Sequence, residues 1–347
     1  MACDTPRTVR LPAFAGSTET AYRSAFADLD ARGLGPPDVV QVVEYATANA
    51  LRARADLEGA RRSALEGRDA PVATVAVEGL LEPGELAVEV TAYPGGGRVA
   101  GELRIADDIV YLPSVHPGGA AYGGFRAQYR QCLERVAELL KAAGLGLDSL
   151  VQTIDYTATS TRNEYPRCGR PRRELLGGTG TDGRPVHPGA AGILVDHPVE
   201  PAAMVALDAI ASTAPLRAVN PGWSRYDTLT YKPGVVAGRT LFMSGFGALE
   251  PATQRAIFEG DLLAQAEFTY AAIGAVLREA GLGDAPPSTC VTRLVEYVTP
   301  GGVDRYPEVA EIRRAYFGDA PALTSVVCSA LLRPEFLIEV VPTAVYP

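Results

Sequence analysis

Residues 321–341 decide the fold, and they read PALTSVVCSALLRPEFLIEVV. The first half alternates apolar and small residues, a short segment ending at Pro334 follows, and a second apolar run begins at Phe336. Two β-like runs around a tight connection are typical of a β-hairpin. We therefore expect a strand pair at this end of the chain.

The same pattern occurs at two earlier places. Residues 71–90 read PVATVAVEGLLEPGELAVEV, and a weaker copy at 188–207 reads PGAAGILVDHPVEPAAMVAL. Self-similarity within a chain is the signature of repeated structural units. Three copies predict three related modules.

A strand, a helix, a second strand and a second helix are expected before each copy. In the third module these are 239–249, a helix capped at 259–261 and stopped by Gly281 and Gly283, 290–298 and 304–317. In the second they are 108–115, 125–143, 150–157 and a helix-like segment from Asn163. In the first they are a helix at 20–32, a strand at 39–45 and a helix at 48–65. This order predicts an α/β (α+β) fold of repeated modules whose sheets carry helices on one face.

Glycine- and proline-rich segments at 94–97 and 221–222 mark the expected boundaries. The modules are then 1–95, which is short and degenerate, 96–220 and 221–347. They either pack about a pseudo-threefold axis as a trimer within one chain, or the first module covers the other two. Because the chain supplies its own repeats, we expect a monomer or a weak homo-oligomer.

Composition narrows the class of protein. The chain has 347 residues, of which 47% are hydrophobic and 21% charged, and its net charge is −9. These values are typical of a packed globular protein, and no apolar run approaches the roughly 20 residues that cross a bilayer. The N-terminus lacks the pattern of a secretory signal, and a basic patch suited to nucleic acid is absent. We expect a cytoplasmic protein without a membrane or nucleic-acid partner.

Cysteine and histidine spacing argues against a metal or nucleotide cofactor. The five cysteines are scattered and odd in number, which is typical of reduced thiols; they are Cys3, Cys132, Cys168, Cys290 and Cys328. Each of the three histidines precedes a proline, and none has metal-ligand spacing. The glycine-rich stretches match no phosphate-binding motif. We expect no cofactor and no metal.

The third module resembles the RidA/YjgF family. The resemblance rests on LFMSGFGAL at 241–249, the helix at 259–282, RLVEYV at 293–298, and the segment 316–345. It implies chorismate-mutase-like modules arranged as trimers, with pockets at their interfaces and, in many members, deamination of imines or enamines. The family's carboxylate-binding arginine corresponds to Leu323, Ala73 and Ala191 here, so it is missing, whereas the pocket glutamate is kept at Glu339.

The whole chain resembles the chorismatases, which are single chains of RidA-like modules. That resemblance implies cofactor-free conversion of chorismate to pyruvate and a ring acid. It rests on Tyr165 followed seven residues later by Arg172, the turn at 188–192, the strand at 241–249, 260–261 with Gln265, and Leu332–Arg333 ahead of Glu339. The family's Trp-Asn-Tyr strand reads Thr153-Ile-Asp155-Tyr156 here. Leu332 replaces a small pocket residue, which implies a smaller or more apolar ring site.

The candidate catalytic residue is Glu339, which lies in an apolar strand. It is either solvated there or buried with a raised pKa, and burial suits a general acid. Five arginines crowd 162–173, and the resemblance selects Arg172 as a carboxylate-binding residue, with Arg333 as a second. Tyr165, Tyr231, Ser244, Gly245 and Leu332 are expected to line the same pocket. Cys328 is expected to be a core thiol.

Three hypotheses on function follow. The first is a cofactor-free hydrolase or lyase on a small carboxylate, with chorismatase-like release of pyruvate as its sharpest version. The second is a RidA-type imine or enamine deaminase, against which the missing arginine counts. The third is a non-catalytic ligand-binding protein on the same fold. A pocket in which buried Glu339 faces an arginine favours an enzyme, and an exposed Glu339 favours the third hypothesis.

Overall fold

A computed structural model describes residues 8–118, 123–200, 202–283 and 286–347. Cys3, and Pro201 within the middle sequence copy, lie outside these ranges. The chain forms three units, each built on one sheet. No helix within the described ranges is both long and apolar enough to cross a bilayer. The module boundaries, the cytoplasmic location and the oligomeric state stay predictions.

The first unit is built on a five-stranded sheet with the order β1-β6-β3-β4, and β2 also pairs with β6. Its elements are β1 (Val9–Arg10), β2 (Phe14–Gly16), α1 (Thr18–Ala31), β3 (Val39–Ala46), α2 (Ala48–Arg52), α3 (Arg54–Ala64), β4 (Val72–Ala76), β5 (Gly79–Leu80) and β6 (Leu86–Ala92). The helix expected at 48–65 is therefore divided at Ala53.

The second unit provides most of a seven-stranded sheet with the order β20-β13-β10-β14-β9-β8-β7. Its elements are β7 (Arg98–Ala100), β8 (Leu103–Ala106), β9 (Ile109–Tyr111), α4 (Phe125–Lys141), β10 (Leu150–Ala158), the 3₁₀ segment Thr159–Cys168, α5 (Gly169–Leu175), β11 (Gly178–Thr179), β12 (Pro185–Val186), β13 (Gly189–Val195) and β14 (Val205–Ser212). The helix-like segment expected from residue 163 is thus first a 3₁₀ helix and then α5.

The third unit also has a seven-stranded sheet, with the order β15-β16-β17-β21-β18-β19-β5. Its elements are β15 (Leu216–Val219), β16 (Gly234–Ala237), β17 (Thr240–Met243), α6 (Leu262–Glu279), α7 (Pro287–Cys290), β18 (Val291–Val298), α8 (Tyr306–Phe317), β19 (Ala322–Val327), β20 (Ala330–Leu331) and β21 (Ile338–Val345). The strand expected at 239–249 ends at Met243.

Helices cover one face of each sheet, as the sequence predicts. In the third unit the Asp261 side chain caps α6 by accepting a hydrogen bond from the Ala264 amide at 3.2 Å. The helix ends just before Gly281, whose positive φ of 84° suits a glycine. Ile273 and Leu277 of α6 are fully or almost fully buried in the core cluster that joins the helices to their sheet. Burial of this apolar face stabilises the helix.

The hairpin prediction is wrong in all three copies. In the third unit β19 runs parallel to β18, and β21 runs antiparallel to it, so β18 lies between the two predicted partners. The pairs β4/β6 and β13/β14 are separated in the same way by β3 and β10. The connecting segments pair elsewhere: β5 joins β19 of the third unit, and β20 joins β13 of the second. Alternation predicts strands, but it does not say which strands are neighbours.

The three units form a closed ring, which is the pseudo-trimeric arrangement. Each unit donates one equivalent backbone hydrogen bond to the next: Gly245 N to Ala190 O at 3.0 Å, Ser114 N to Val72 O at 3.0 Å, and Ala13 N to Leu323 O at 3.2 Å. The first unit therefore occupies the third position of the ring. A buried ion pair between Arg293 and Glu89, with one contact at 3.0 Å, also links the third unit to the first.

The faces of the sheets that carry no helices meet at the centre of the ring. Equivalent tyrosines from the three central strands lie in this shared core: Tyr45 of β3, Tyr156 of β10 and Tyr297 of β18. The hydroxyls of Tyr156 and Tyr297 are 2.8 Å apart and hydrogen-bonded. The centre is partly polar and holds a small cavity of about 50 Å³, lined by Tyr45, Tyr156 and Arg293 among others. The larger cavities lie where neighbouring units meet.

Candidate functional site

A cavity of about 310 Å³ lies between the second and third units. Seven of the eight predicted site residues line it: Tyr165, Arg172, Tyr231, Gly245, Leu332, Arg333 and Glu339. They come from four separate parts of the chain, which the ring brings together. A cleft of this size and position is typical of a small-molecule site.

Glu339 lies on β21 opposite Tyr297 and is only 7% exposed. Burial raises the pKa of its carboxyl to about 8, and the backbone N–H of Gly192 offsets part of that effect. No arginine or lysine among the described residues forms an ion pair with it. A buried carboxyl without a cationic partner stays protonated near neutral pH. Of the two alternatives that the sequence leaves open for Glu339, the structure has the buried one.

Two glycines allow the chain to approach the Glu339 carboxyl closely. A Cβ added at Gly245 would overlap Oε1 of Glu339 and come within 2.8 Å of the Cβ of Ala191. A Cβ added at Gly192 would overlap Leu332 and come within 2.6 Å of the Tyr165 hydroxyl. These contacts explain the two glycines at the site without any appeal to unusual backbone angles.

Ser244 is the one predicted site residue that does not line the cavity. Its hydroxyl donates to the carbonyl of Lys232 at 2.7 Å and accepts from the amide of Ala190 at 2.9 Å. It therefore fastens the end of β17 to the segment before β16 and to β13. This contact holds neighbouring Gly245 in place at the wall of the cavity.

Arg172 of α5 is 3% exposed and is held by polar neighbours. It donates to the Tyr129 hydroxyl at 2.7 Å, the Thr153 hydroxyl at 3.2 Å, and the hydroxyl and carbonyl of Thr230 at 3.3 and 3.1 Å. These bonds use four of its five N–H donors. One N–H remains for a ligand, so Arg172 can meet a carboxylate with one donor and its full charge.

The other arginines of the crowded segment differ in their surroundings. Arg162 donates to the Leu332 carbonyl at 3.4 Å and thereby holds the turn before β21. Arg167 and Arg170 form exposed ion pairs with glutamates of their own helical segments. Arg173 and Arg333 are exposed and line the cavity mouth. Of the five arginines in 162–173, Arg172 and Arg173 are the two that line the cavity.

Aromatic rings form one wall of the cavity. Tyr226 packs edge-on against Tyr231 with ring centroids 5.5 Å apart, and Trp223 packs edge-on against Phe246 at 6.4 Å. Phe336 lines the cavity as well. Of these aromatic residues only Tyr231 is predicted from the sequence. Trp223 and Tyr226 lie in 220–231, which has no strand or helix periodicity, and Phe246 and Phe336 lie in segments predicted only as strands. The single tryptophan in a loop rich in aromatics was the available signal.

Cys328 is a core thiol, as expected. It is fully buried, burial raises its pKa, and its Sγ contacts the Val298 carbonyl at 3.6 Å. Within the described ranges, no group of three or more His, Cys, Asp or Glu side chains is arranged to hold a metal ion. Glu339 is a cavity-lining carboxyl whose raised pKa, at about 8, lies close to neutrality.

Comparison with known proteins supports the fold. Residues 226–346 match the family model described as Endoribonuclease L-PSP, and no curated protein matches the chain. A crystal structure of a chorismatase has a TM-score of 0.55 at 16% identity, covering 89% of this chain and 93% of that chain. At that identity the likeness establishes the fold. The resemblances predicted from the sequence, to the RidA/YjgF superfamily and to chorismatases, are confirmed at this level.

Two single-module structures match shorter parts of the chain. A putative endoribonuclease from Thermotoga maritima is 26% identical, covering 34% of this chain and 87% of that chain, with a TM-score of 0.30. A member of the YjgF/YER057c/UK114 family from Mycobacterium tuberculosis is 25% identical, covering 38% of this chain and 99% of that chain, with a TM-score of 0.31.

Proposed function

We propose that this chain is a cofactor-independent enzyme that acts on a small carboxylate by chorismatase-like hydrolysis or elimination and releases pyruvate. One observation carries the proposal: the Glu339 carboxyl, with a pKa of about 8, opens into a cavity that Arg172 and Arg333 also line. A protonated acid and fixed positive charge in one cavity suit acid-catalysed cleavage of an anionic enol ether.

Glu339 acts as the general acid in this reaction. Its proton goes to the methylene carbon of the enolpyruvyl group, whose double-bond electrons form the new C–H bond. The carbon that bears the ether oxygen becomes oxocarbenium-like. Water then adds to that carbon and returns a proton to the Glu339 carboxylate. The resulting hemiketal breaks the bond between this carbon and the ring oxygen, its hydroxyl becomes the carbonyl, and the hydroxyl proton passes to the ring oxygen, which gives pyruvate and the ring alcohol.

Positive charge at two depths of the cavity suits a dicarboxylate. Arg172 lies at the inner wall with one N–H unused, and Arg333 is exposed at the mouth. The aromatic wall offers flat apolar surface to a ring between them. Leu332, packed over Gly192, narrows the ring site. The substrate is therefore a compact ring that carries separated carboxylates.

The deaminase alternative lacks its carboxylate-binding arginine. The equivalent interunit hydrogen bonds align Leu323 with Val72 and Ala190, one residue before the Ala73 and Ala191 selected from the sequence. None of these five positions carries an arginine. Buried Glu339 instead shares its cavity with Arg172 and Arg333, and this favours the enol-ether reaction over the non-catalytic hypothesis.

The test is incubation of the purified protein with chorismate, with pyruvate followed by lactate dehydrogenase and NADH. Wild type is expected to release pyruvate, and Glu339→Gln to lose about 10²- to 10⁴-fold in kcat. The control is Glu82→Gln, the same substitution at an exposed glutamate outside the cavity, and it should keep wild-type activity. Arg333→Ala is expected to raise KM by about tenfold. Absence of pyruvate with wild type would exclude chorismate as the substrate.

A further inference from the structure

A buried cluster of an acid, a tyrosine and an arginine occurs once in each unit. The acid lies at the same register of each central strand, one residue before the core tyrosine. The members are Tyr22, Glu44 and Arg61 in the first unit, Tyr129, Asp155 and Arg172 in the second, and Tyr270, Glu296 and Arg313 in the third. Only the second cluster has an arginine that lines the 310 Å³ cavity.

In the first and third clusters the arginine contacts the acid directly. Arg61 donates to both oxygens of Glu44, at 2.9 and 2.7 Å. Arg313 donates to Glu296 at 2.9 Å. Both glutamates are fully buried. Each arginine therefore has its charge matched by a carboxylate within the protein, and neither is free to recruit an outside anion.

In the second cluster the acid is an aspartate, which is one methylene shorter. Asp155 accepts hydrogen bonds from Tyr129 and Tyr165, each at 2.8 Å, one on each oxygen. Arg172 forms no ion pair with it or with any other described carboxylate, and the Tyr129 hydroxyl stands between the two groups. A buried guanidinium without a contacting anion is costly in free energy, and here that cation borders a cavity.

The cluster of the second unit differs from the other two in a second way, because it lacks a hydroxyl beside the acid. In the first and third units the residue opposite the acid on the parallel neighbouring strand carries a hydroxyl: Thr74 on β4 and Ser325 on β19. The Thr74 hydroxyl donates to Glu44 at 2.6 Å, and the Ser325 hydroxyl is hydrogen-bonded to the Tyr306 hydroxyl at 2.5 Å. The second unit has Gly192 at this position. Its amide instead serves Glu339. Gly192 thus lines the cavity, and Asp155 adjoins it through its hydrogen bond from Tyr165.

We propose that Asp155 is a positioning residue whose short side chain stays out of contact with Arg172, so that the carboxylate of a substrate becomes the guanidinium's contacting anion. This rests on the proposed function only in that the cavity receives a carboxylate. Replacing Asp155 with glutamate would create the ion pair that the first and third clusters have, and Arg172 would no longer be available to an outside anion. The charge of Asp155 itself is not required for binding.

The test compares the affinity for benzoate at pH 7 of wild type, Asp155→Glu, Asp155→Asn and Glu296→Asp. Trp223 is the single tryptophan and lines the cavity, so its fluorescence reports binding without turnover. Asp155→Glu is expected to weaken binding by about tenfold or more, the value of one charged hydrogen bond. Asp155→Asn should bind at least as tightly as wild type. Glu296→Asp, the same one-methylene change away from the cavity, should bind as wild type does.

Thermal unfolding without ligand gives a second, independent readout. Asp155→Glu is expected to raise the midpoint, because it pairs a buried cation, whereas Glu296→Asp lowers it by weakening a pair. A wild type that does not bind benzoate, or equal losses of affinity in Asp155→Glu and Asp155→Asn, would overturn the proposal. If Asp155→Glu does not fold, loss of affinity in Asp155→Asn overturns it alone. Normal benzoate binding without pyruvate release from chorismate would instead refute the proposed reaction and leave the role of Asp155 standing.

Discussion

Replacing Glu339 with glutamine isolates the free energy that burial of this carboxyl costs. The group has an ordinary pKa of 4.5 and a pKa of about 8 in the folded protein. Between these values the unfolded chain has released the proton and the folded chain keeps it. The contribution of the protonated Glu339 carboxyl to the free energy of unfolding is therefore fully present below pH 4.5 and is lost as the pH rises through 8. At 1.36 kcal/mol per pKa unit, the loss is on the order of 5 kcal/mol.

The assay is urea unfolding of wild type and Glu339→Gln at several pH values from 4.5 to 9. Glutamine has nearly the same shape and does not ionise, so the variant should gain stability over wild type as the pH rises, by on the order of 5 kcal/mol across the window. Asp208, whose pKa burial raises to about 6, titrates in both proteins and cancels in the difference. Glu82→Gln should follow the wild-type curve.

A difference in unfolding free energy that stays constant from pH 4.5 to 9 would refute this reasoning. It would mean that the folded protein ionises Glu339 at its ordinary pKa, and a carboxylate at neutral pH could not serve as the general acid. The companion measurement is the pH dependence of kcat/KM for pyruvate release, which should be level below pH 8 and fall above it.

Further substitutions test the geometry around the site. Gly245→Ala should reduce kcat by about 10²-fold with the fold intact, as judged by circular dichroism, because the new methyl group displaces the Glu339 carboxyl. Gly59→Ala is the control for a glycine with open space on an exposed helix face, and it should raise stability by about 0.5–1 kcal/mol in urea without affecting kcat. Arg313→Met leaves Glu296 buried without its partner and should lower the free energy of unfolding by about 3–5 kcal/mol, whereas an unchanged urea midpoint would contradict the buried-pair account.

The sequence predicted the elements better than their pairing. Repeated alternation located the strands, and the helix that starts after Asp261 has its predicted cap. The hairpins were wrong because the runs on either side of Pro334 are separated in space by β18, whose own sequence gives no sign of that position. Strand order depends on long-range packing, which local alternation does not encode.

The site was predicted through single residues, and their partners were missed. Glu339 and Arg172 were found from the apolar run and the resemblance, but Thr230, which holds Arg172, lies in a segment without periodicity. The repeated clusters did leave a signal. An acid precedes a tyrosine in the central strand of each unit, at 44–45, 155–156 and 296–297. The consequence of having Asp155 where the other units have glutamate is visible only in the structure, which shows which acids contact an arginine.

The seam between the first and third units has a consequence for synthesis of the protein. Arg293 and Glu89, which pair across it, are 204 positions apart in the chain. At about 5–20 residues per second, the ribosome needs roughly 10–40 s between these two residues. During that time Glu89 and the part of the first unit that faces the third unit have no partner. The nascent chain thus carries an open, partly apolar edge until its last strand emerges, and slow translation of the C-terminal third should increase aggregation or chaperone dependence.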